Sequence, residues 1–223
     1  MQTMTRTGEA VTVVHGEQEV FRRTAHLFES ATEITCAAND LAGWGWRHGT
    51  AGGNAFGHTP THDSRVRKLY RSSALLEPGW DQRMSIIRDL PGEIDVRVTT
   101  EDVNETIILD GRVAILAGSR RAGERSYSIL TLPDTVRSVE SLFESAWRAS
   151  TDLDAYDAQV ADIRMLAPRV LDLLSEGVKD ETAARTLGMS VRTYRRRVAE
   201  LMAALGAESR FQAGSRAREL GLV

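Results

Sequence analysis

The sequence predicts an α/β amino-terminal domain followed by an all-α carboxy-terminal domain of four helices. Helical and strand-like segments alternate up to about residue 150, whereas only helical patterns remain from about residue 164. Charge divides the chain at the same place: residues 164–223 contain 11 Lys and Arg against 7 Asp and Glu, a net charge of +4, and the rest contains 17 against 24, a net charge of −7. We therefore predict domains over 1–150 and 164–223, joined by a partly helical linker over 151–163.

Hydrophobic periodicity predicts the elements of the first domain. An amphipathic helix, "EQEVFRRTAHLFESA", precedes a short buried strand, "TEITCAA". Further strands are predicted in "SRVRKLYRS", "IDVRVTT", "ETIILDGRVAILA" and "RSYSILTL". The third of these contains Asp110-Gly111, which is typical of a tight hairpin turn and therefore predicts two strands. Two helices, "WDQRMSIIRDL" and "DTVRSVESLFESAWRAS", complete the domain.

A glycine-rich stretch, "AGWGWRHGTAGGNAFGHTPTHD", lacks periodicity and predicts a long loop. Its side chains Trp44, Trp46 and His48 are candidates to close over an apolar ligand, because aromatic groups on a loop can cover a bound molecule. Arg71, at the end of a predicted strand, is a candidate to meet an anionic ligand. In the alternative interpretation the tryptophans cap the core and Arg71 is solvated or salt-bridged.

Composition excludes several classes of protein. Cys36 is the single cysteine, so it forms no intramolecular disulfide and no cysteine pair exists for a zinc site. No apolar run approaches the roughly 20 residues that span a bilayer, and no secretory signal is recognisable, so a cytoplasmic protein without membrane partners is expected. Basic residues are almost all arginine, which is typical of a GC-rich bacterial genome. No metal site or cofactor is predicted.

Four short helices, each closed by a glycine, are predicted after residue 164: "APRVLDLLSEG", "DETAARTLG", "SVRTYRRRVAELMAALG" and "RFQAGSRARELG". The glycines suit the left-handed conformation that commonly follows a helix. In the third helix Ser190 is placed as the N-cap. The buried stripe of that helix is predicted from four apolar or aromatic residues, Tyr194, Val198, Leu201 and Leu205.

The opposite side of this helix is basic. Arg192, Arg195, Arg196 and Ala199 share one outward face by their spacing, and Arg197 stands to the side. Within the helix only Glu200 is acidic, so the sequence shows no compensating acids on that face. A helix fits the major groove of DNA, and arginine can bind guanine through two hydrogen bonds. The alternative is an exposed basic face without a partner.

The last quarter of the chain resembles the LuxR-type helix-turn-helix domain. The family pattern L-L-A-E-G, A-R-x-L-G-I-S, x-x-T-V-x-x-H-x-x-x-I-x-x-K-L-G and S-R-x-x-A is matched at its spacing by Glu176-Gly177, Ala184-Arg185, Leu187-Gly188-Met189-Ser190, Thr193, Leu205-Gly206, Ser209-Arg210 and Ala213. The usual T-P-R-E opening is not at its spacing. Tyr194 and Arg197 replace a common aliphatic residue and a common histidine, so the target sequence cannot be carried over.

This resemblance implies a recognition helix from Val191 to Ala204 and double-stranded promoter DNA as the partner. It implies groove-facing positions at Arg195, Arg196 and Ala199, and phosphate contacts at Arg192, Thr193, Arg197 and Lys179. The last helix is often a dimerisation surface in the family, so a homodimer is expected.

The segment "ETIILDGRVAILAGS" is similar to a strand-turn-strand of the phospholipase D-like domains found in some bacterial regulators, including TrmB-like ones. Active members carry H-x-K-x-x-x-x-D there, with the histidine as nucleophile and the lysine on phosphate. Asp110 is retained, but Val103 and Glu105 stand at the histidine and lysine positions. The resemblance therefore implies a degenerate, non-catalytic domain that senses a small-molecule or peptide effector or mediates dimerisation.

Two alternatives to a DNA-binding regulator stay open. The first is an enzyme, a phosphodiesterase or nuclease of the phospholipase D type whose basic tail holds its substrate. The second is a protein-interaction module whose helical tail has lost DNA binding. A phosphorylated receiver domain is disfavoured, because "VTVVHGEQEV" lacks the acidic pair that such a domain needs after its first strand.

Overall fold

The computed structural model describes residues 10–37, 64–89, 92–121 and 124–223. The chain divides into two compact units. The sheet unit comprises the described residues within Met1–Leu69, Ile86–Val96 and Val103–Ala149. The helical unit comprises Tyr70–Ser85, Arg97–Asp102 and Ser150–Val223. The predicted limits at residues 150 and 164 stay a prediction.

Eight strands in the described residues form one sheet in the order β1-β7-β6-β5-β2-β3-β4-β8. Their bounds are β1 (Val11–His15), β2 (Glu33–Ala37), β3 (Arg65–Arg71), β4 (Glu93–Thr99), β5 (Thr106–Leu109), β6 (Val113–Arg121), β7 (Glu124–Leu130) and β8 (Thr151–Asp152). Strand β2 pairs in parallel with β3 and antiparallel with β5.

Seven α-helices and one 3₁₀ helix accompany these strands in the described part of the chain. They are α1 (Glu17–Ser30), the 3₁₀ helix (Ser72–Leu76), α2 (Trp80–Arg88), α3 (Pro133–Ala149), α4 (Leu153–Ser175), α5 (Asp180–Thr186), α6 (Val191–Ala204) and α7 (Arg210–Glu219). The mixed α/β class predicted from the sequence is confirmed. Strands β1 and β8 and the 3₁₀ helix were not predicted. None of the helices described is both long and apolar enough to cross a membrane.

Two helices cover opposite faces of the sheet. Ile107 packs in a cluster with residues of α1, and its neighbour Ile108 packs in a second cluster with residues of α3. Successive side chains of a strand point to opposite faces, so β5 contributes to both layers. Arg67 lies over the rings of Phe143 and Trp147 in α3, with distances of 5.5 and 5.7 Å from its guanidinium carbon to the ring centroids.

The hairpin predicted at Asp110-Gly111 is confirmed. Both residues have positive φ, 49° and 61°, and the Arg112 amide donates to the Leu109 carbonyl at 2.9 Å. The Asp110 carboxylate also accepts from the Thr32 and Glu33 amides at 2.9 and 2.8 Å. Burial raises the pKa of Asp110, but these donors outweigh burial and the net pKa is lowered. Asp110 thus fastens the hairpin to the start of β2.

Residues 151–163, predicted as a linker, are largely helical. Helix α4 begins at Leu153, because the Asp152 side chain caps it by accepting from the amides of Asp154 and Ala155. Buried Leu153 and Ile163 hold this part of the helix against its neighbours. Pro168, the second residue of the predicted helix "APRVLDLLSEG", is exposed in the interior of α4. The predicted helix therefore begins four turns too late.

The glycines that close the helices adopt the predicted left-handed conformation. Gly177, Gly188, Gly206 and Gly221 have φ between 66° and 70°. After α5, the Gly188 amide donates to the Arg185 carbonyl at 3.1 Å and the Met189 amide donates to the Ala184 carbonyl at 2.9 Å. This pair of bonds is the Schellman motif, which satisfies carbonyls that the end of a helix leaves open.

Replacement of Gly188 by alanine tests this requirement. A Cβ at Gly188 meets nothing within 4 Å, so the cost arises from the left-handed backbone alone, and we expect the free energy of unfolding to fall by about 1 kcal/mol. Gly214 is the matched control, because it lies inside α7 and a Cβ there also meets nothing within 4 Å. Gly214→Ala is expected to raise the free energy of unfolding by about 0.5–1 kcal/mol. Urea unfolding followed by circular dichroism measures both; shifts of the same sign contradict the prediction.

Candidate nucleic-acid interface

Helices α5 and α6 are joined by a short turn whose geometry is fixed by hydrogen bonds. The Schellman bonds at Gly188 end α5, and the Ser190 hydroxyl caps α6 by accepting from the Thr193 amide at 3.1 Å. The Ser190 and Thr193 hydroxyls also lie 2.9 Å apart. The predicted N-cap is therefore confirmed. Thr193, a predicted phosphate contact, is half-buried and committed to this turn.

The orientation of α6 agrees with the predicted faces. Its predicted stripe is buried, with no member more than 3% exposed: Tyr194, Val198, Leu201 and Leu205. These residues pack with α4, α5 and α7 in the core of the helical unit. The predicted outward residues are all exposed: Arg192, Arg195, Arg196 and Ala199. The sequence period thus placed the basic face correctly.

Arg195 is held by an acid from the neighbouring helix. Its side chain is 61% exposed, and its Nε donates to Asp180 Oδ2 at 2.8 Å. The other oxygen of Asp180, Oδ1, lies 2.9 Å from Nη2 of Arg210 in α7. Glu181 is more distant, with 3.9 Å between its Oε1 and Arg195 Nη2. One carboxylate at the start of α5 therefore joins three helices.

The other two arginines of the run differ in how firmly they are held. Arg196 is 65% exposed, and its Nε lies 3.6 Å from Glu200 Oε1, beyond hydrogen-bond distance. Arg197 is only 19% exposed and donates to Glu200 at 2.8 Å and to Asp162 of α4 at 2.9 Å. Arg197 thus ties α6 to α4, and Arg196 is the more available of the two.

The inference that this face lacks compensating acids was wrong. It counted α6 alone, whereas Asp180 and Glu181 reach Arg195 on that face from α5, and Asp162 reaches Arg197 at its side from α4. These partners are remote in sequence, so periodicity within one helix does not reveal them. Among the described residues, neither Arg192 nor Lys179 forms an ion pair, and both are exposed.

The residues considered for ligand binding are only partly described. Trp44, Trp46 and His48, with the glycine-rich loop, lie outside the described residues. Arg71 ends β3, and its Nη1 lies 3.3 Å from Asp102 Oδ1. The structure thus shows the salt bridge considered as the alternative, and a ligand role for Arg71 stays a prediction.

The positions that resemble a phosphodiesterase motif contain a mostly buried ion pair. Glu105, at the lysine position, accepts from Arg125 at 2.7 Å. Val103, at the histidine position, packs against the core beside α3. Cys36 is buried nearby in β2, and burial raises the pKa of its thiol to about 11. The thiol is therefore protonated at neutral pH, as expected of a small core residue.

Comparisons with known proteins give one sequence relative and several structural likenesses. No protein-family model matches the chain. Over 118 residues, or 52% of this chain, it is 36% identical to a protein described as "Bialaphos biosynthetic pathway regulatory protein" from Streptomyces hygroscopicus. That match covers 46% of the relative, so the chain spans about half the length of the curated relative it matches.

Three solved structures resemble the chain with TM-scores below 0.5. TrmBL2, described as an archaeal chromatin protein with a novel mode of DNA binding, has a TM-score of 0.46 at 16% identity, over 68% of this chain and 57% of that one. NucT from Helicobacter pylori has a TM-score of 0.46 at 8% identity, over 64% of this chain and 99% of that one. The phospholipase D family member Nuc from Salmonella typhimurium has a TM-score of 0.45 at 14% identity, over 64% of this chain and 96% of that one.

The Asp180 ion pairs predict a specific response to acid. Hydrogen bonding from Arg195 lowers the pKa of Asp180, against the effect of burial and with help from Arg210. A lowered folded-state pKa contributes stability above the unfolded-state pKa, and this is lost as pH falls through the folded-state value. We expect Asp180→Asn to lower the melting temperature at pH 7, and the difference from the parent protein to shrink steadily below about pH 4.

Glu176→Gln removes one carboxylate from an exposed position that forms no ion pair in the described part of the chain, and so serves as the control. Its melting temperature is expected to follow the parent protein at both acid and neutral pH. A melting-temperature difference for Asp180→Asn that is the same at pH 7 and pH 3 contradicts the prediction.

Proposed function

We propose that the chain is a bacterial transcriptional regulator that binds promoter DNA through α6. The observation that carries this proposal is the two-sided nature of the helix. One side is fully buried in the helical unit, and the other exposes Arg192, Arg195 and Arg196 together with the small residue Ala199. A small side chain between arginines lets a helix approach the base edges closely, and arginine is the commonest partner of guanine in the major groove.

Two further observations support the proposal. Helices α5 and α6, joined by a short turn, follow the element order of a helix-turn-helix motif, and the second helix is capped by Ser190 and exposes Arg192, Arg195 and Arg196. The relative from Streptomyces hygroscopicus is described as a regulatory protein. The resemblance of residues 176–213 to the LuxR-type pattern points to the same function, with α6 as the recognition helix.

The arginines divide between the two kinds of DNA contact by their environments. Arg196 has a long exposed side chain with no close partner, so it suits base recognition, together with Ala199. Arg192 and Lys179, exposed and near the start of their helices, suit phosphate contacts. Arg197 supports the position of α6 through Asp162 and Glu200, and we infer that it acts on DNA binding indirectly.

For the sheet unit we propose a regulatory, non-catalytic function. Glu105 places a carboxylate, paired with Arg125, at the position where an active phosphodiesterase of this kind needs a cation for phosphate. A unit without that chemistry can sense a small molecule or peptide, or mediate dimerisation. A homodimer in the cytoplasm would bind two half-sites about one helical turn apart.

The enzyme alternative has a direct test. We expect no hydrolysis of bis-p-nitrophenyl phosphate or of plasmid DNA by the purified chain, because Val103 offers no nucleophile and Glu105 repels phosphate. Turnover that persists through purification and is abolished by Asp110→Asn would contradict the regulatory proposal and favour a phosphodiesterase.

Alanine substitutions test the proposed contacts on duplex DNA selected by the protein from a randomised pool. Arg196→Ala is expected to cost about 1–3 kcal/mol of binding and to relax the preference at one base pair. Arg169→Ala removes the same charge from an exposed position on α4 and is the control, with a loss below about 0.5 kcal/mol and an unchanged preference. Equal, sequence-blind losses for both variants would contradict the assignment of Arg196 to the groove.

A further inference from the structure

Asp180 occupies an unusual position for an acid beside a DNA-binding face. It is the first residue of α5, its side chain is 14% exposed, and both of its oxygens are bound to guanidinium groups. Oδ2 accepts from Arg195 and Oδ1 from Arg210, each within 2.9 Å. The carboxylate therefore lies beneath two arginines that are themselves about half exposed.

The geometry restricts what Arg195 can do. A guanidinium carries five N–H donors in a rigid fork, and Asp180 occupies the Nε side of Arg195, which leaves the Nη groups for an outside partner. If Arg195 turned away to bind a phosphate, Asp180 would lose one of its two partners while staying mostly buried, which is costly for a carboxylate. Arg196 has no such restraint, because its nearest acid, half-buried Glu200, is 3.6 Å away and already accepts a hydrogen bond from Arg197.

Charge gives the second consequence. A DNA-binding surface with many free cations binds any duplex, because phosphate contacts carry no sequence information. Asp180 holds two guanidinium groups and cancels one of their two positive charges, which weakens that sequence-independent attraction. It does so without removing the donors of Arg195 that can reach a base edge.

We propose that Asp180 is a specificity-determining residue, which restrains Arg195 and Arg210 so that they do not bind the phosphates of any duplex and which orients Arg195 toward base edges. This inference rests on the proposed function of α6. By this inference, the preference of the basic face for one DNA sequence over others depends on an acidic residue as well as on the arginines.

Two charge-matched variants of the full chain test the inference, Asp180→Asn and Glu181→Gln. Both remove one negative charge at neighbouring positions, but Glu181 is exposed, and its Oε1 lies 3.9 Å from Arg195 Nη2, too far for a hydrogen bond. Binding of each to non-specific duplex and to the selected site is measured by fluorescence anisotropy between 50 and 200 mM salt (about the range in which counterion release is resolved).

For Asp180→Asn we expect non-specific binding to depend more steeply on salt. The slope of the logarithm of the binding constant against the logarithm of the salt concentration should become more negative by about 0.9 for each arginine released onto phosphate. At about 0.1 M salt, each such arginine gives about an eightfold gain in affinity. The preference for the selected site should fall by a similar factor. Glu181→Gln is expected to change non-specific affinity by less than about twofold. Equal gains for the two variants, or weaker non-specific binding of Asp180→Asn, would overturn the inference.

The two proposals fail in different ways. If the parent protein binds no duplex DNA even at low salt, the proposed function is wrong, and the inference falls with it. If the parent binds selectively but the gain of Asp180→Asn persists unchanged in Arg195→Ala together with Arg210→Ala, the proposed function stands and the inference alone fails.

If Asp180→Asn does not fold, the arginines themselves provide the test. Because Arg195 is restrained, it should contribute little to non-specific binding, and Arg195→Ala should leave the salt dependence of that binding unchanged. Arg196→Ala should reduce the slope of log binding constant against log salt concentration by about 0.9. Equal flattening by both would overturn the inference.

Discussion

The properties of the candidate interface depend on carboxylates that other helices direct at α6. An arginine-rich helix surface in water would repel itself and bind any polyanion. In this chain Asp180 and Asp162, from α5 and α4, divide the arginines into restrained, structural and available side chains. The packing of the helical unit, and not the number of arginines, thus decides which of them can meet a ligand.

That division requires α6 to have one fixed rotation about its axis. The buried residues Tyr194 and Leu201 fix the rotation, and the Ser190 cap with the turn at Gly188 fixes the start of the helix. The Ser72 hydroxyl also donates to the Ala204 carbonyl at 2.8 Å, so the far end of α6 is held within the same unit. A rotation of one residue, about 100° in a helix, would move exposed Arg196 into the half-buried place of Arg197.

Turns, helix caps and helix ends were predicted well from the sequence, because each depends on residues that are neighbours in the chain. The hairpin at Asp110, the cap at Ser190 and the left-handed glycines follow from turn and cap chemistry over a few residues. The pairing of Arg195 with Asp180 and of Arg197 with Asp162 spans 15 and 35 residues and depends on how helices pack. Helix α4 was predicted too short because residues 151–163 were interpreted as a partly helical linker, whereas the cap at Asp152 determines its start.

Site-specific photo-crosslinking tests most directly whether α6 enters duplex DNA. A benzophenone side chain at position 199, exposed between the arginines, is compared with one at position 155, exposed on α4. If α6 lies in the major groove, position 199 should crosslink to one or two adjacent bases of the selected site and position 155 should give no localised product. Selective DNA binding with crosslinks from position 155 but none from position 199 would show that another surface of the protein contacts DNA.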